Sequence, residues 1–306
     1  MRTTLKPLLS FLLVLFLAVP FLAESAPPTT FSKVKVRFSK DDDRRMVDKD
    51  IDLVFDDGAR KLIARGEYKP LEVAYGDIQK IVFDVSAHMR GGGMSQVIGG
   101  LVGAAMAAKH VHDYWCLVEY KSADGATRTY LMEIDKESSD EVVEKMKALF
   151  PDKVSVTEFK EFPEDVKKEE LKDLQSKHDD KADKRNHPMP EAKPDQALVV
   201  AVCPSLAARY AGAGIQFKMH ANDKVIAVNK WGTYSFAYLD PGDYLIASQT
   251  ENVVGVKLKL EAGKEYYFFQ NTFMGTWKAK TGISRVSKER ALAEIDGSYW
   301  SDWKRK

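Results

Sequence analysis

The alternation of apolar and polar side chains with a period of two residues constrains this 306-residue chain more than any other feature. Residues 34–38 and 254–260 both place an apolar side chain at every second position, with charged or small residues between. Such alternation puts the apolar side chains on one face of a β-strand. Turn sequences, among them 56–58 and 240–243, separate segments of this kind. The sequence therefore predicts a mainly β fold built from antiparallel strands.

Residues 33–159 are predicted to form a first small β domain. Several strand patterns precede a helical pattern in which Val142, Val143, Met146 and Leu149 share one face. A proline at position 151 ends that helix. We expect an antiparallel barrel that is closed by this helix.

Residues 160–196 have the composition of a linker. Twenty of these 37 residues are Lys, Arg, Asp or Glu, and few are apolar. Oppositely charged residues recur four apart, a spacing that allows pairing along a helix. We expect a charged, partly helical linker between two domains. The alternative is a helix that docks a partner.

Residues 197–296 contain about seven short strand patterns with turns at regular intervals, which is typical of a β-sandwich. Because the linker is polar, this domain is expected to have its own core, and a fragment of residues 197–306 is expected to fold alone. Residues 297–306 form a tail rich in Trp and Lys.

Residues 1–25 have the three parts of a secretory signal peptide. Arg2 and Lys6 supply positive charge, an apolar run covers 8–23, and small residues surround Ser25. The apolar run of about 16 residues is short for a membrane-spanning helix, which needs about 20. We expect cleavage after Ser25 and an extracytoplasmic location, either periplasmic or secreted. The alternative is a retained membrane anchor.

The second half resembles a known family. The resemblance rests on three features, which are the predicted strand 197–203, the Pro-Gly turn within 239–244 and the Ala-Gly-Lys-x-Tyr-Tyr segment within 261–267. In this order they are similar to the domain of unknown function 2846, a family of small bacterial β-sandwich domains often found in lipoproteins. The resemblance implies a β-sandwich and an exported protein, and it implies no activity. The lipid-anchor cysteine of such lipoproteins is missing here.

The first half resembles a pleckstrin-homology-like β domain. The likeness is one of strand order, with residues 71–85 and 114–120 followed by a closing helix. It implies a fold, and the lipid binding associated with that fold is not carried over to an exported protein.

The segment 91–108 is rich in Gly and Ala, and residues 97–108 carry mainly apolar or small side chains. Twelve residues span only about 18 Å as a helix, too short to cross a bilayer. One interpretation is an insertion packed on its own domain. The other is a shallow membrane or partner contact, whose candidate residues are Val97, Ile98, Leu101 and Val102.

Two tryptophans of the tail, Trp300 and Trp303, extend the second interpretation. Aromatic side chains beside Lys304, Arg305 and Lys306 can lie at a membrane interface. The alternative is a tail that packs back on its own domain.

No catalytic, metal or cofactor site is predicted. His110 and His112 would share one face of a strand, but two ligands do not make a metal site, even if His88 approaches them. Cys116 and Cys203 fall in different domains, so a disulfide would need a fixed domain interface, and two buried thiols are expected instead. Motifs of nucleophilic catalysis are missing.

The charge balance, with 46 basic and 45 acidic residues, argues against a nucleic-acid partner. The sequence thus predicts an exported, non-enzymatic envelope or interaction protein that binds an unknown protein or envelope component. The first alternative is a membrane-surface adaptor that uses segment 91–108 and the tail. The second is an extracytoplasmic metal-dependent hydrolase that uses His110 and His112.

Overall fold

A computed structural model shows a chain that is mainly β, as the sequence predicts. It describes residues 27–39, 49–66, 70–90, 109–167, 171, 177–204, 215–273 and 280–305. Within these ranges there are two helices, and neither has the length and apolar character that a membrane crossing requires. The strands form three sheets, which we describe as two units.

The first unit is one eight-stranded sheet with one helix. Its elements are β1 (Thr29–Ser39), β2 (Lys49–Asp56), β3 (Lys61–Gly66), β4 (Leu71–Ala74), β5 (Ile78–Arg90), β6 (Lys109–Lys121), β7 (Thr127–Ile134), α1 (Lys136–Leu149) and β8 (Val154–Glu158). The strand order is β4-β3-β2-β1-β7-β6-β5-β8. All neighbours are antiparallel except β5 and β8, which are parallel.

The core of the first unit lies between the inner face of this sheet and α1. Val142 and Met146 lie one turn apart on the helix and are fully buried. The sulfur of Met146 lies 3.9 Å from that of Cys116 on β6. The apolar stripe predicted for this helix thus covers the sheet, and Phe150 ends the stripe with its ring against Tyr75.

The second unit consists of two further sheets and a short helix. Its elements are β9 (Glu164–Asp165), β10 (His178–Asp183), β11 (Ala197–Cys203), β12 (Phe217–Ala221), β13 (Lys224–Asn229), β14 (Thr233–Leu239), β15 (Gly242–Gln249), β16 (Val253–Leu260), β17 (Glu265–Phe273), β18 (Lys280–Val286), α2 (Lys288–Ile295) and β19 (Tyr299–Arg305). The six-stranded sheet has the order β10-β19-β14-β11-β17-β18, and the five-stranded sheet has the order β13-β12-β15-β16-β9.

The central strands of the six-stranded sheet are buried on both faces. On β11, Val199 and Ala201 pack between the two sheets, whereas Leu198, Val200 and Val202 pack on the outer face, beneath α2. The strand β17 behaves in the same way, since Phe268 faces inward and Phe269 faces outward. Among the described strands three pairs are parallel, β5–β8, β11–β17 and β14–β19, so the predicted antiparallel arrangement needs correction there.

The charged segment 160–196 differs from its prediction. In its described part it is not helical and contributes two strands, because β9 pairs with β16 and β10 pairs with β19. An edge strand needs little apolar surface, since backbone hydrogen bonds and contacts on one side hold it. His178 supplies such a contact, with its ring centroid 5.6 Å from that of Trp303. The spacer predicted here is therefore corrected to a part of the second unit.

The end of this segment lies over the outer face of the six-stranded sheet. The hydroxyl of Tyr234 donates to the carbonyl of Pro188, and that of Tyr238 donates to the carbonyl of Glu191, both at 2.8 Å. The ammonium of Lys193 lies 3.8 Å from the centre of the Tyr238 ring. The chain thus covers this face before it enters β11.

These contacts change the expected behaviour of fragments. A fragment of residues 197–306 loses β9, β10 and the covering residues, whereas a fragment of residues 161–306 keeps them. We expect the longer fragment to unfold at a temperature at least about 10 °C higher, because several kcal/mol of pairing and burial are retained. Thermal unfolding followed by circular dichroism measures this difference. Equal midpoints would show that residues 161–196 are a spacer after all.

Candidate functional site

The helix α2 lies between the two units and contacts both. Ala291 and Ile295 are buried against the outer face of the six-stranded sheet. Ala293, on another side of the helix, packs on a cluster of the first unit formed by Val82, Trp115, Leu117 and Leu131. A short helix whose sides are buried in this way joins the two units by direct packing.

The start of this helix is fixed from both units. The side-chain oxygen of Ser287, the N-cap residue, accepts from the backbone N–H of Arg290 at 3.3 Å. The backbone N–H of Ser287 itself donates to a carboxylate oxygen of Asp84, which lies on β5 of the first unit. A carboxylate at a helix N-terminus is stabilised by the helix dipole. Asp84 therefore acts as an additional cap that is supplied across the interface.

The guanidinium of Arg290 occupies the centre of the interface. It donates to the hydroxyl of Ser86 at 2.9 Å and contacts the carboxylate of Asp84 at 3.3 Å. Its carbon lies 3.9 Å from the centre of the Trp115 ring and 4.8 Å from that of Phe269. Arg290 is only 6% exposed and Asp84 only 2%. Burial lowers the pKa of Arg290, and the carboxylate of Asp84 opposes that effect.

One helical turn further on, Glu294 is also buried, at 8% exposure. Burial raises the pKa of this carboxyl to about 7, although the charge of Arg290 acts in the opposite direction. Removal from water favours the neutral form of an acid. Glu294 thus changes charge near neutral pH at a buried position beside Arg290. We refer to Asp84, Ser86, Trp115, Arg290 and Glu294 as the interface cluster.

A histidine–carboxylate pair borders this cluster. Nδ1 of His88 lies 3.1 Å from a carboxylate oxygen of Asp113. The two residues are on the β5–β6 hairpin, where Ser86 faces Asp113 and His88 faces Val111 across the ladder. They therefore share the face of the sheet that carries Asp84 and Trp115. The negative charge of Asp113 also acts on Arg290.

Two partly exposed ion pairs lie at the rim of the junction. Lys80 and Glu289 are 2.7 Å apart and join β5 to α2. Arg285 pairs with Glu161, and its guanidinium lies 4.9 Å from the ring centres of both Phe159 and Tyr266. Water screens these two pairs more strongly than the buried central pair, so each contributes less to the stability of the fold.

The arrangement of the interface cluster is suited to holding two units in a fixed orientation. Its carboxylate and guanidinium contact each other, the hydroxyl accepts a hydrogen bond, and aromatic rings cover the charge from two sides. A buried ion pair requires specific geometry, because its desolvation is offset only when the partners meet correctly. The cluster can therefore fix how the two units dock, because its charge pair is satisfied only in this arrangement.

None of the residues proposed for a membrane contact belongs to the interface cluster. Val97, Ile98, Leu101 and Val102 lie outside the described residues. Trp300 packs on the outer face of the six-stranded sheet, with ring centroids 5.5 Å from Tyr234 and 4.9 Å from Phe236. Trp303 is half-buried and contacts His178. Both tryptophans belong to β19, so residues Tyr299–Arg305 of the tail are a strand of the second unit.

The histidines and cysteines weighed as chemical groups are placed as follows. The ring of His112 contacts that of Phe162, with centroids 5.3 Å apart. The side chain of His110 is not among those that the structure describes. Among the described residues there is no group of three or more side chains able to hold a metal ion. Cys116 and Cys203 are buried, are not joined, and have thiol pKa values raised by burial.

A cavity of about 270 Å³ lies beside the junction. It is lined by Glu161, Phe162, Glu164, Asp165, Val166, Leu245, Gly255 and Lys257. Its walls come mainly from the charged segment and from β15 and β16. Gly255 is required there, since a Cβ at this position would lie within 3.0 Å of Leu245, Ala247 and Val166.

Sequence reasoning missed the interface cluster. Asp84 lies within a strand pattern, and Arg290 and Glu294 lie on a short helix with no marked polar face. The one available signal was the spacing of Arg290 and Glu294, four residues apart, which places both on one side of the helix. No family model, curated protein or solved structure matches this chain, and the two family resemblances stay expectations from the sequence.

Proposed function

We propose that this protein is an exported, non-enzymatic interaction protein of the cell envelope. In this proposal two β units form one platform that presents its surface to a protein or another envelope component. The observation that carries it is the interface cluster, because Asp84 and Arg290 are buried between the units and fix their orientation. A hinge between units would leave such charges in contact with water.

The contacts made by the histidine side chains support the same proposal. Each of the five histidines with a described side chain contacts another side chain. These contacts are His88 with Asp113, His112 with Phe162, His178 with Trp303, His187 with Tyr234 and His220 with Gln249. The ring contacts stabilise packing, and the carboxylate of Asp113 orients the imidazole of His88. Export itself is proposed from the signal-peptide pattern of residues 1–25.

The experiment is isolation of the protein from the extracytoplasmic fraction of its own cells after mild crosslinking. We expect an intact mass that begins at Ala26 and a crosslinked species that contains a second component in fixed ratio. A variant with Arg290→Met, in which the two units are no longer held together, should lose that second component. Recovery from the cytoplasm with residues 1–25 retained, or a chain that crosslinks to nothing, would contradict the proposal.

A further inference from the structure

The three sheets end in six edge strands, and five of them are protected against further pairing. β4 has four residues and β9 has two. β10 is mostly charged, a feature that discourages strand addition. β18 packs against β5 of the first unit, and β13 packs against β14 and β19. Each of these five edge strands is thus protected against further pairing by its short length, its charge or a covering element.

Among the residues that the structure describes, nothing protects the sixth edge, β8, in any of these ways. Its sequence from Val154 to Glu158 consists of residues that favour strands, and it carries no charge before its last position. Ser155, Val156 and Glu158 are exposed, and the side chain of Val156 is 46% exposed. An apolar side chain in the middle of an open edge strand is a site at which another strand can add.

The backbone of β8 has alternate residues directed outward. The carbonyl of Lys153 accepts from the N–H of Ile81 at 2.8 Å, and the N–H of Phe159 donates to the carbonyl of Val85 at 3.1 Å. Along a parallel ladder every second residue bonds to its neighbour. Val154, Val156 and Glu158 therefore direct their N–H and C=O groups away from β5.

We propose that β8 pairs antiparallel with β8 of a second copy of this chain, about a two-fold axis at Val156. In this register Val156 faces Val156 of the other copy, and Val154 faces Glu158. Each of these pairs exchanges both backbone hydrogen bonds. The two valine side chains lie side by side and cover each other.

The charges next to β8 favour a second copy over an unrelated strand. The same two-fold axis places Asp152 opposite Lys160, so that two oppositely charged pairs form, one at each end of the joined strands. Both residues are exposed. A closed dimer with a two-fold axis requires a surface that is complementary to itself. β8 meets that requirement in its apolar centre and at both charged ends.

A cysteine at position 156, on the proposed two-fold axis, tests the register of the β8–β8 pair. In the purified full chain, Val156→Cys should form a disulfide-linked species of twice the mass under mild oxidation, because hydrogen-bonded residues across such a pair have Cα atoms about 5.5 Å apart. Ser155→Cys is the matched control, since Ser155 faces Thr157 and should not crosslink. The native Cys116 and Cys203 are buried and do not interfere. Crosslinking of both variants alike, or of neither, overturns the proposal.

Sedimentation over a concentration series tests the dimer without a crosslink. The mass of the wild-type protein should rise towards two chains, and Asp152→Lys should weaken the dimer about tenfold, because both end pairs become like-charged. Adding Lys160→Asp to that variant should restore the wild-type dissociation constant. A wild-type mass that stays at one chain, or a double variant as weak as Asp152→Lys, overturns the proposal.

Discussion

Replacing Arg290 with Met is expected to lower the free energy of unfolding by about 3–5 kcal/mol, the cost of leaving a buried charge without its partner. The partner is Asp84, which is 2% exposed and lies between the two units. Methionine preserves much of the apolar contact with Trp115 and Phe269. The loss of stability therefore arises more from removal of the positive charge than from the change in side-chain volume. Urea unfolding of the full chain measures this difference.

Two further variants show whether the buried position causes the loss. Lys80→Met breaks the half-exposed pair with Glu289 across the same interface and should cost no more than about 1 kcal/mol. Combining Arg290→Met with Asp84→Asn should recover most of the stability, because position 84 then carries no buried charge without a partner, and an asparagine oxygen still accepts from Ser287. If Arg290→Met costs no more than Lys80→Met, the central pair does not hold the units together.

The second large effect is a dependence of stability on pH that comes from Glu294. Its pKa is raised from 4.5 to about 7 in the folded protein. Between these values the unfolded chain loses this proton while the folded chain retains it, so stability falls as the pH rises. The shift corresponds to a loss of roughly 3 kcal/mol, which is complete above pH 7.

The variant Glu294→Gln removes this titration. Compared with the wild type, we expect it to be about equally stable below pH 4.5 and about 3 kcal/mol more stable at pH 8. Glu289→Gln is the matched control on the same helix. Partial burial by itself would raise the pKa of Glu289, but its hydrogen bonds, first the one from Lys80, and the charges of Lys80 and Lys288 together lower that pKa in the folded protein. This variant should therefore lose stability at pH 8. A gain from Glu294→Gln that is the same at both pH values would contradict the account.

The sequence predicts much of the fold because strand alternation and helix periodicity are local signals. The mainly β class, the helix with Val142 and Met146, and the sandwich strands follow from these periods. The predicted barrel is corrected to an open sheet with β4 and β8 at its edges. The pairing of β10 with β19 does not follow, since residues 178–183 carry almost no apolar side chains. Its backbone hydrogen bonds depend on a partner more than one hundred residues away, which composition does not reveal.

The interface cluster was beyond prediction for a related reason. Asp84 and Arg290 are 206 residues apart and meet only because β5 and α2 lie on facing surfaces of different units. In a strand or a short helix, such residues resemble ordinary solvent-exposed charges. The sequence did predict that Cys116 and Cys203 are buried, because both lie in strands of apolar residues.

The central claim is that the interface cluster joins the two units into one folding unit, and scanning calorimetry of the full chain tests it most directly. We predict one transition for the wild type, with equal calorimetric and van't Hoff enthalpies. For Arg290→Met we predict two separated transitions, one for each unit. Two resolved transitions already present in the wild type, at temperatures that Arg290→Met does not shift, would contradict the account.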